Sequence, residues 1–412
     1  MLFHILNSAH PCTELVLDIT LIKRYLLAAG HLITDNIAAA DTVIISTCAF
    51  NREYETDALE KIERAKNAAK KGARIIVSGC LSKINPLLFN SIGGVTALPP
   101  SETDEIENLF PSGTSVKNIS ANVIAVSEYS QNKMFMAGIR LKKIFSALNK
   151  IFKFIKMPDF LDTVPVDEWY MIRGASGCLG ECSYCAIKRA RGSIKSVAPD
   201  IIMARLKEAV AQGYSEISFA GDDMGCYGAD INSSLPELLT EVIKAGTGFK
   251  VNIRFIEPVW LLKHLDALVP IFKTGRVSSF CVPLQSGSQK ILDAMRRRYK
   301  ISSAVAAVNY IIRETKVKSV SSIVMTGFPG EERDDFIKSY ELINRADIAL
   351  YQALKYEGRP GTPSENFEGR VPENIKEARR ARFWQKLKLV KFLGLSDKIA
   401  EKITRLKFGD IV

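Results

Sequence analysis

Three cysteines stand in the run Cys178-Leu-Gly-Glu-Cys182-Ser-Tyr-Cys185, a C-x₃-C-x₂-C spacing in a loop that directly follows a strand pattern. Thiolates spaced this way can fill three irons of a [4Fe–4S] cube and leave the fourth iron without a protein ligand, free to chelate a small molecule. Zinc and three incidental thiols are the competing readings. A structural zinc site takes four ligands, however, and His4, His10, His31 and His264 are all remote in sequence. A second set, Cys12, Cys48 and Cys80, is dispersed over the first eighty residues, each member just beyond a predicted strand. Burial in a core is the alternative for that set, since free cysteine is among the most buried residue types. Cys226 and Cys281 are left over: Cys281 lies inside a strand and reads as core, whereas Cys226 falls in a loop that can approach a substrate.

The elements that must carry these residues read as α/β. Met1 to Asn7 is a short apolar strand, Leu15 to Ala29 has helical periodicity, and Thr42 to Thr47 (TVIIST) is a buried strand. Arg52 to Lys71 is a charged helix, and Ala73 to Ser78 (ARIIVS) is another strand. This βαβαβ order predicts a doubly wound parallel sheet, whose strands all end along one edge, so Cys12, Cys48 and Cys80 converge there by topology. A second βα series begins at Trp169, with strands predicted at Trp169–Arg173, Glu216–Ala220, Val251–Ile256, Ser279–Leu284, Val320–Thr326 and Ile348–Lys355. Helical stretches such as Pro199–Gln212 and Leu235–Ala245 lie between them. Six strands without two more predict an open, partial (β/α)₆ barrel working at its carboxyl ends. Glu373 to Lys407 reads as basic helix.

At 412 residues the chain exceeds one ordinary domain of roughly 100–200 residues. With 47% apolar and 25% charged residues it is globular in composition, and no apolar run reaches the roughly 18–20 residues of a membrane span. Met1 to Thr13 lacks the pattern of a signal peptide, so a reducing, cytoplasmic setting is expected and eight cysteines point to metal before disulfide. A net charge of +11 fits RNA, an acidic peptide or plain solubility. Seven Lys or Arg and no acid fall between Lys133 and Lys156, interleaved with apolar residues at helical spacing.

The spacing at Cys178, Cys182 and Cys185 resembles the radical S-adenosylmethionine (SAM) superfamily. Across most of its length the chain is similar to the radical SAM methylthiotransferases, which modify a tRNA adenosine or a ribosomal-protein aspartate. Ser46-Thr-Cys48-Ala-Phe50 and Ser78-Gly-Cys80-Leu81 look like that family's N-terminal domain. Then follow, in the family's order, Arg173-Gly-Ala-Ser-Gly-Cys178, Ala190-Arg-Gly192, Ala220-Gly-Asp222, Tyr227-Gly228, Arg254-Phe-Ile-Glu-Pro258 and Val282-Pro-Leu-Gln285-Ser-Gly-Ser288. Met295-Arg-Arg-Arg-Tyr299, Gly327-Phe-Pro-Gly-Glu331 and Arg359-Pro-Gly-Thr-Pro363 complete the series.

The resemblance implies two [4Fe–4S] clusters and SAM. One cluster would sit on Cys178, Cys182 and Cys185, and the other on Cys12, Cys48 and Cys80 with an exogenous sulfide or methylsulfide on its open iron. One SAM would methylate that sulfur and a second would supply the radical that removes hydrogen from an unactivated carbon. Around the barrel cluster, Tyr184 is expected near the adenine. Gly221, Asp222, Arg254, Gln285, Ser286 and Gly327 are expected at strand ends, where glycine lets backbone approach a ligand and polar groups can meet SAM or substrate. The implied organisation is an N-terminal cluster-binding domain over 1–125, a basic amphipathic linker over 126–165, the radical SAM partial barrel over 166–357 and a basic helical segment over 358–412. An external electron donor of flavodoxin or ferredoxin type and a monomeric state are also expected.

Four departures stand out. Cys12 is followed by Thr-Glu-Leu-Val without the family's asparagine, Asp222 stands where glutamine is common, and Ile323 stands where aspartate is usual. The residues after Pro363 read as helix rather than as the family's β-rich C-terminal TRAM domain. The sequence therefore points first to a peptide or protein substrate, such as a ribosomally made natural-product precursor, and second to a tRNA adenosine.

Overall fold

A computed structural model of the chain describes residues 1–8, 12–120, 122–125, 168–345 and 348–391, with positions 141, 144 and 403. The basic segment expected over 126–165 falls almost wholly outside the described residues, as does most of the chain beyond 391.

The apolar run TVIIST can only be a strand covered on both faces, and it forms the centre of the first sheet, buried along its whole length. The elements of this unit are β1 (Leu2–Leu6), α1 (Thr13–Ala28), β2 (Leu32–Ile33), β3 (Thr42–Thr47), α2 (Arg52–Ala68), β4 (Arg74–Gly79) and β5 (Thr96–Leu98). All five strands are parallel in the order β2-β1-β3-β4-β5. Ile44 and Ile76 join Ile19, Ile22 and Leu26 of α1 on one face, while Val43, Ile45, Ile75 and Val77 meet Ala58, Ile62 and Ala65 of α2 on the other. Each such buried aliphatic side chain contributes about 1.5–3 kcal/mol, so a one-residue slip that reversed the faces would cost far more than one ladder bond. Asn51 starts α2 by accepting the Tyr54 N–H on its side-chain oxygen at 2.8 Å.

The second sheet runs β14-β13-β12-β11-β10-β7-β6. Six of its strands, β7 (Glu168–Arg173), β10 (Glu216–Ala220), β11 (Lys250–Arg254), β12 (Val277–Cys281), β13 (Ser319–Thr326) and β14 (Ile348–Lys355), are parallel and adjacent in chain order, the open partial barrel that the βα repeats predict. β6 (Val123–Ala125) adds an antiparallel edge on β7, although the sequence assigns its residues to the N-terminal unit. β8 (Ala175–Ser176) and β9 (Lys195–Ser196) pair antiparallel and close the neck of the cysteine loop between them.

The fourth barrel strand spans Val277–Cys281 rather than Ser279–Leu284. Pro283 offers no N–H to a ladder, and Gln285 turns into the left-handed region at φ 65°, so the chain rejoins β13 only as an isolated bridge from Gln285 to Val324.

The basic C-terminal helix Glu373–Lys391 packs on β13 and β14. Its positive charge is partly turned inward. Arg379 is buried and pairs with Glu331 Oε1 at 2.6 Å, and the buried Arg382 lies 4.5 Å over the Tyr340 ring. Among the described residues no helix is long and apolar enough to cross a membrane.

Burial pushes the Glu331 carboxyl up to about 7, against the Gly327 N–H and Arg379, which hold it down. An Arg379→Met variant leaves that carboxylate buried without its partner and should lose about 3–5 kcal/mol in chemical denaturation. Both folded proteins hold the acid neutral below about pH 7, so the difference between them should widen as the pH rises above that value, where only the wild type offers the carboxylate a partner.

Candidate active site

The carboxyl edge of the first sheet brings the N-terminal cysteines together. Thr47 and Gly79 are register partners at the ends of β3 and β4, and the next residues are Cys48 and Cys80. The Cys80 N–H donates to Thr47 O at 3.2 Å. Only glycine fits at position 79: its φ is 117°, and a Cβ there would lie 2.1 Å from Thr47 O. Cys12 caps α1, its sulfur accepting the Leu15 N–H at 3.4 Å. Cys48 and Cys80 are buried and Cys12 is exposed, open to solvent although ringed by protein.

Burial pushes all three thiols up, Cys48 to about 12, and each also feels Arg191, which pulls it down. Cys12 in turn raises Cys48, and both Cys12 and Cys48 raise Cys80, as mutually close thiols do. Three neighbouring thiols in such a place ionise together only around a cation, which fits an iron cluster's donor set.

The barrel cysteines occupy the loop after β7. Gly177 turns it at φ 71° and donates its N–H to Asp222 Oδ2 at 2.7 Å. Ser183 anchors its middle, donating its N–H to Met295 O at 3.0 Å and its hydroxyl to Ala294 O at 2.8 Å. Cys178 Sγ and Cys182 Sγ each lie 3.8 Å from the point where a Gly180 Cβ would stand, so the missing side chain leaves the space between the two sulfurs open. Burial pushes Cys178 up to about 12 and Cys185 to about 11. Among the described residues no three His, Cys, Asp or Glu side chains are gathered as the ligands of one metal ion would be.

A buried ion chain joins the two sets. α1 is enclosed almost all round over Glu14–Thr20, and its Val16 and Leu17 pack on Met171 of β7 and Ala220 of β10. From this helix Asp18 gives one oxygen to Arg173 at 2.7 Å and the other to Arg191 at 3.0 Å. Glu14 lies 3.2 Å from Arg173, and burial pushes its carboxyl up to about 7 even so. Arg191 continues to Asp222 at 3.5 Å. Asp222 therefore ties Gly177, next to Cys178, to the arginine that acts on Cys12, Cys48 and Cys80. A further bridge runs from Glu55 of α2 to the buried Arg359.

The remaining expected residues divide. Tyr184 packs edge-on against Phe328 at 6.4 Å, beside the cysteine loop. Gly221 packs closely on Met224 and Ala175 O at the end of β10. Arg254 reaches Thr13 Oγ1, next to Cys12, at 3.3 Å and the Tyr351 hydroxyl at 3.1 Å. Gln285 is buried and its Oε1 has no hydrogen-bond partner among the described residues. Ser286 is wholly buried and bonded to Ser339 Oγ at 3.1 Å, so it holds the loop to the helix Arg333–Arg345 instead of facing a ligand. Gly327 sits beneath Lys376, whose Cγ would be 2.2 Å from a Cβ there.

Sequence reasoning missed Asp18, Arg173, Arg191, Asp223, Glu257 and Arg297. Asp18 carried a signal: a lone acid inside the apolar stretch Leu15–Ile19 of a helix calls for a buried partner. Asp223 is buried, takes N–H bonds from Gly225 at 2.9 Å and Glu257 at 3.0 Å on one oxygen, and leaves Oδ2 without a hydrogen-bond partner among the described residues.

Comparison with known proteins agrees with this geometry. Residues 172–343 match the Radical SAM superfamily model and residues 7–95 match Uncharacterized protein family UPF0004. A protein of Pyrococcus horikoshii named probable threonylcarbamoyladenosine tRNA methylthiotransferase is 29% identical over 403 residues, covering 97% of this chain and 88% of that protein. The Homo sapiens threonylcarbamoyladenosine tRNA methylthiotransferase is 26% identical over 356 residues, covering 86% of this chain and 57% of that protein. This chain belongs to the radical SAM methylthiotransferase family. The chain also shares its fold with TsrM, a radical SAM methyltransferase from Kitasatospora setae solved with cobalamin and a [4Fe–4S] cluster, at a TM-score of 0.57 and 14% identity over 88% of this chain and 77% of that one. Membership of the family brings a [4Fe–4S] cluster and SAM.

The fold's stability depends strongly on the ion chain. Asp18→Ala removes the carboxylate that two buried guanidinium groups share, leaving Arg173 to Glu14 and Arg191 to Asp222, and should cost about 3–5 kcal/mol in denaturant unfolding. It should also expose the junction between the two sheets to limited proteolysis, whereas Glu60→Ala, whose salt bridge to Arg64 is exposed, should change stability by less than about 1 kcal/mol.

Proposed function

We propose that the chain is a tRNA methylthiotransferase acting on a threonylcarbamoyl-modified adenosine. In this reading Cys178, Cys182 and Cys185 hold the cluster that meets SAM, and Cys12, Cys48 and Cys80 hold a second cluster that carries sulfide or methylsulfide. The observation that carries it is the convergence of two three-thiol sets joined through Asp18, Arg191 and Asp222. Shielded electron-transfer cubanes use four cysteines; sets of three leave room for SAM and for sulfur.

The cluster at the barrel, when bound, supplies the electron that cleaves SAM to a 5′-deoxyadenosyl radical, the reagent needed where no side-chain base can deprotonate the carbon. The rest is the work of this chain's own groups. The orphaned Oδ2 of Asp223 is a buried acceptor suited to the SAM ammonium, and Gln285 Oε1 is a second acceptor for a hydroxyl. Gly180 and Gly221 keep backbone rather than side chain against the bound groups. Arg191 offsets the negative charge that a loaded thiolate set accumulates, so that set stays docked against the barrel.

The substrate choice rests on the relatives. Their names specify tRNA, and the Pyrococcus horikoshii protein aligns along nearly the whole chain, which favours nucleic acid over the peptide that the C-terminal sequence points to first. Arg380 of the C-terminal helix is exposed enough to offer a phosphate contact, although the buried Arg379 and Arg382 do not.

The test uses anaerobically reconstituted protein with SAM, a low-potential reductant and either threonylcarbamoyladenosine-containing tRNA or candidate precursor peptides. Mass spectrometry should find a nucleoside in which SCH₃ has replaced H; a gain confined to peptide would overturn the tRNA assignment. Cys48→Ala should cleave SAM to 5′-deoxyadenosine and insert no sulfur. Cys182→Ala should do neither.

A further inference from the structure

The three barrel thiols do not share one kind of neighbour. Cys178 takes a backbone hydrogen bond from Gly180, and Cys185 takes them from Ile187 and Lys188. Cys182 instead has Nη1 of Arg297 at 3.4 Å from its sulfur. That guanidinium is buried and is fixed from several sides. Nη1 also lies 3.1 Å from Glu257 Oε1, Nη2 donates to Pro283 O, and the group lies 5.7 Å from the Tyr299 ring centre. Arg296, at φ 57°, makes the turn that sends Arg297 inward, and the same turn offers the Ala294 and Met295 carbonyls that hold Ser183. The cation and the cysteine loop are thus registered against each other by one short segment.

We propose that Arg297 is a positioning residue that sets the reduction potential of the barrel cluster through Cys182, with Glu257 as its counterweight. The inference rests on Cys178, Cys182 and Cys185 being the cluster's ligands. A reduced cluster carries one more negative charge than an oxidised one. A buried cation and an N–H bond at a ligand sulfur therefore favour the reduced form and raise the potential. Glu257 places a buried carboxylate beside the same guanidinium and cancels part of its field. The two residues act with opposite sign. The chemistry needs that balance, because too high a potential would leave SAM uncleaved and too low a potential would leave the cluster beyond the reach of its electron donor.

The opposite signs make the test independent of simple damage to the fold. Full-length wild-type, Arg297→Gln, Arg297→Lys and Glu257→Gln proteins are reconstituted anaerobically, assayed for iron, and titrated potentiometrically by electron paramagnetic resonance. The barrel cluster is identified as the signal that changes when SAM is added. Arg297→Gln should move that potential negative at unchanged iron content, Arg297→Lys should fall between it and wild type, and Glu257→Gln should move it positive. Equal potentials in all four proteins, shifts of the same sign in the Arg297→Gln and Glu257→Gln variants, or loss of iron in both Arg297 variants would overturn the proposal. Those outcomes leave the cluster assignment standing. A wild-type protein with no SAM-responsive signal would overturn the assignment and the proposal together.

Discussion

Asp18 divides its carboxylate between two arginines, and the relation of the two cysteine sets depends on that division. A buried carboxylate on a helix otherwise packed in apolar contacts is costly to desolvate, and it is tolerated only because both oxygens are occupied. Arg173 belongs to the first barrel strand, and Arg191 closes the cysteine loop and leans on Asp222. One side chain of the N-terminal unit thereby grips the strand that introduces Cys178, Cys182 and Cys185 and the arginine whose charge reaches Cys12, Cys48 and Cys80. Apolar packing of Val16 and Leu17 on Met171 and Ala220 brings the surfaces together without specifying a register; the ion chain specifies it.

Most of the architecture was legible because it rests on short-range signals. TVIIST and ARIIVS read as buried parallel strands, and the βα alternation placed all six cysteines at carboxyl edges. Failures came where a backbone conformation or a partner decided the outcome. Ser279–Leu284 looks like a continuous strand until Pro283 and the left-handed Gln285 break it, and Leu32–Ile33 and Thr96–Leu98 are too short to register as periodic. In the site, the cysteines were visible from their type and spacing. Arg191 and Arg297 sat inside quoted motifs with no chemistry attached, because the sequence does not reveal that their side chains turn inward to sulfur and carboxylate. Ser286 erred the other way: a polar residue at a strand end was expected to face a ligand, and it faces Ser339 instead.

The C-terminal helix illustrates how charge misleads when burial is unknown. A run of arginines and lysines invites an interpretation as an RNA-binding surface, yet Arg379 neutralises Glu331 and Arg382 lies over an aromatic pair. These cations cover the side of the barrel at β13 and β14, and Lys376 presses on Gly327 at the barrel's working end. Whatever the helix offers to phosphate, it also forms part of the wall near the chemistry.

The cap of α1 has a wider implication. The same sulfur that begins this sixteen-residue helix is the exposed member of the N-terminal triad, and the helix's positive pole points at it. Negative charge on that sulfur would strengthen the cap and steady the first turn, where Glu14 resides, one turn ahead of Asp18. The helix that grips the barrel through Asp18 therefore starts on a member of the N-terminal cysteine set, so the charge on that sulfur and the seating of the helix act through the same first turn.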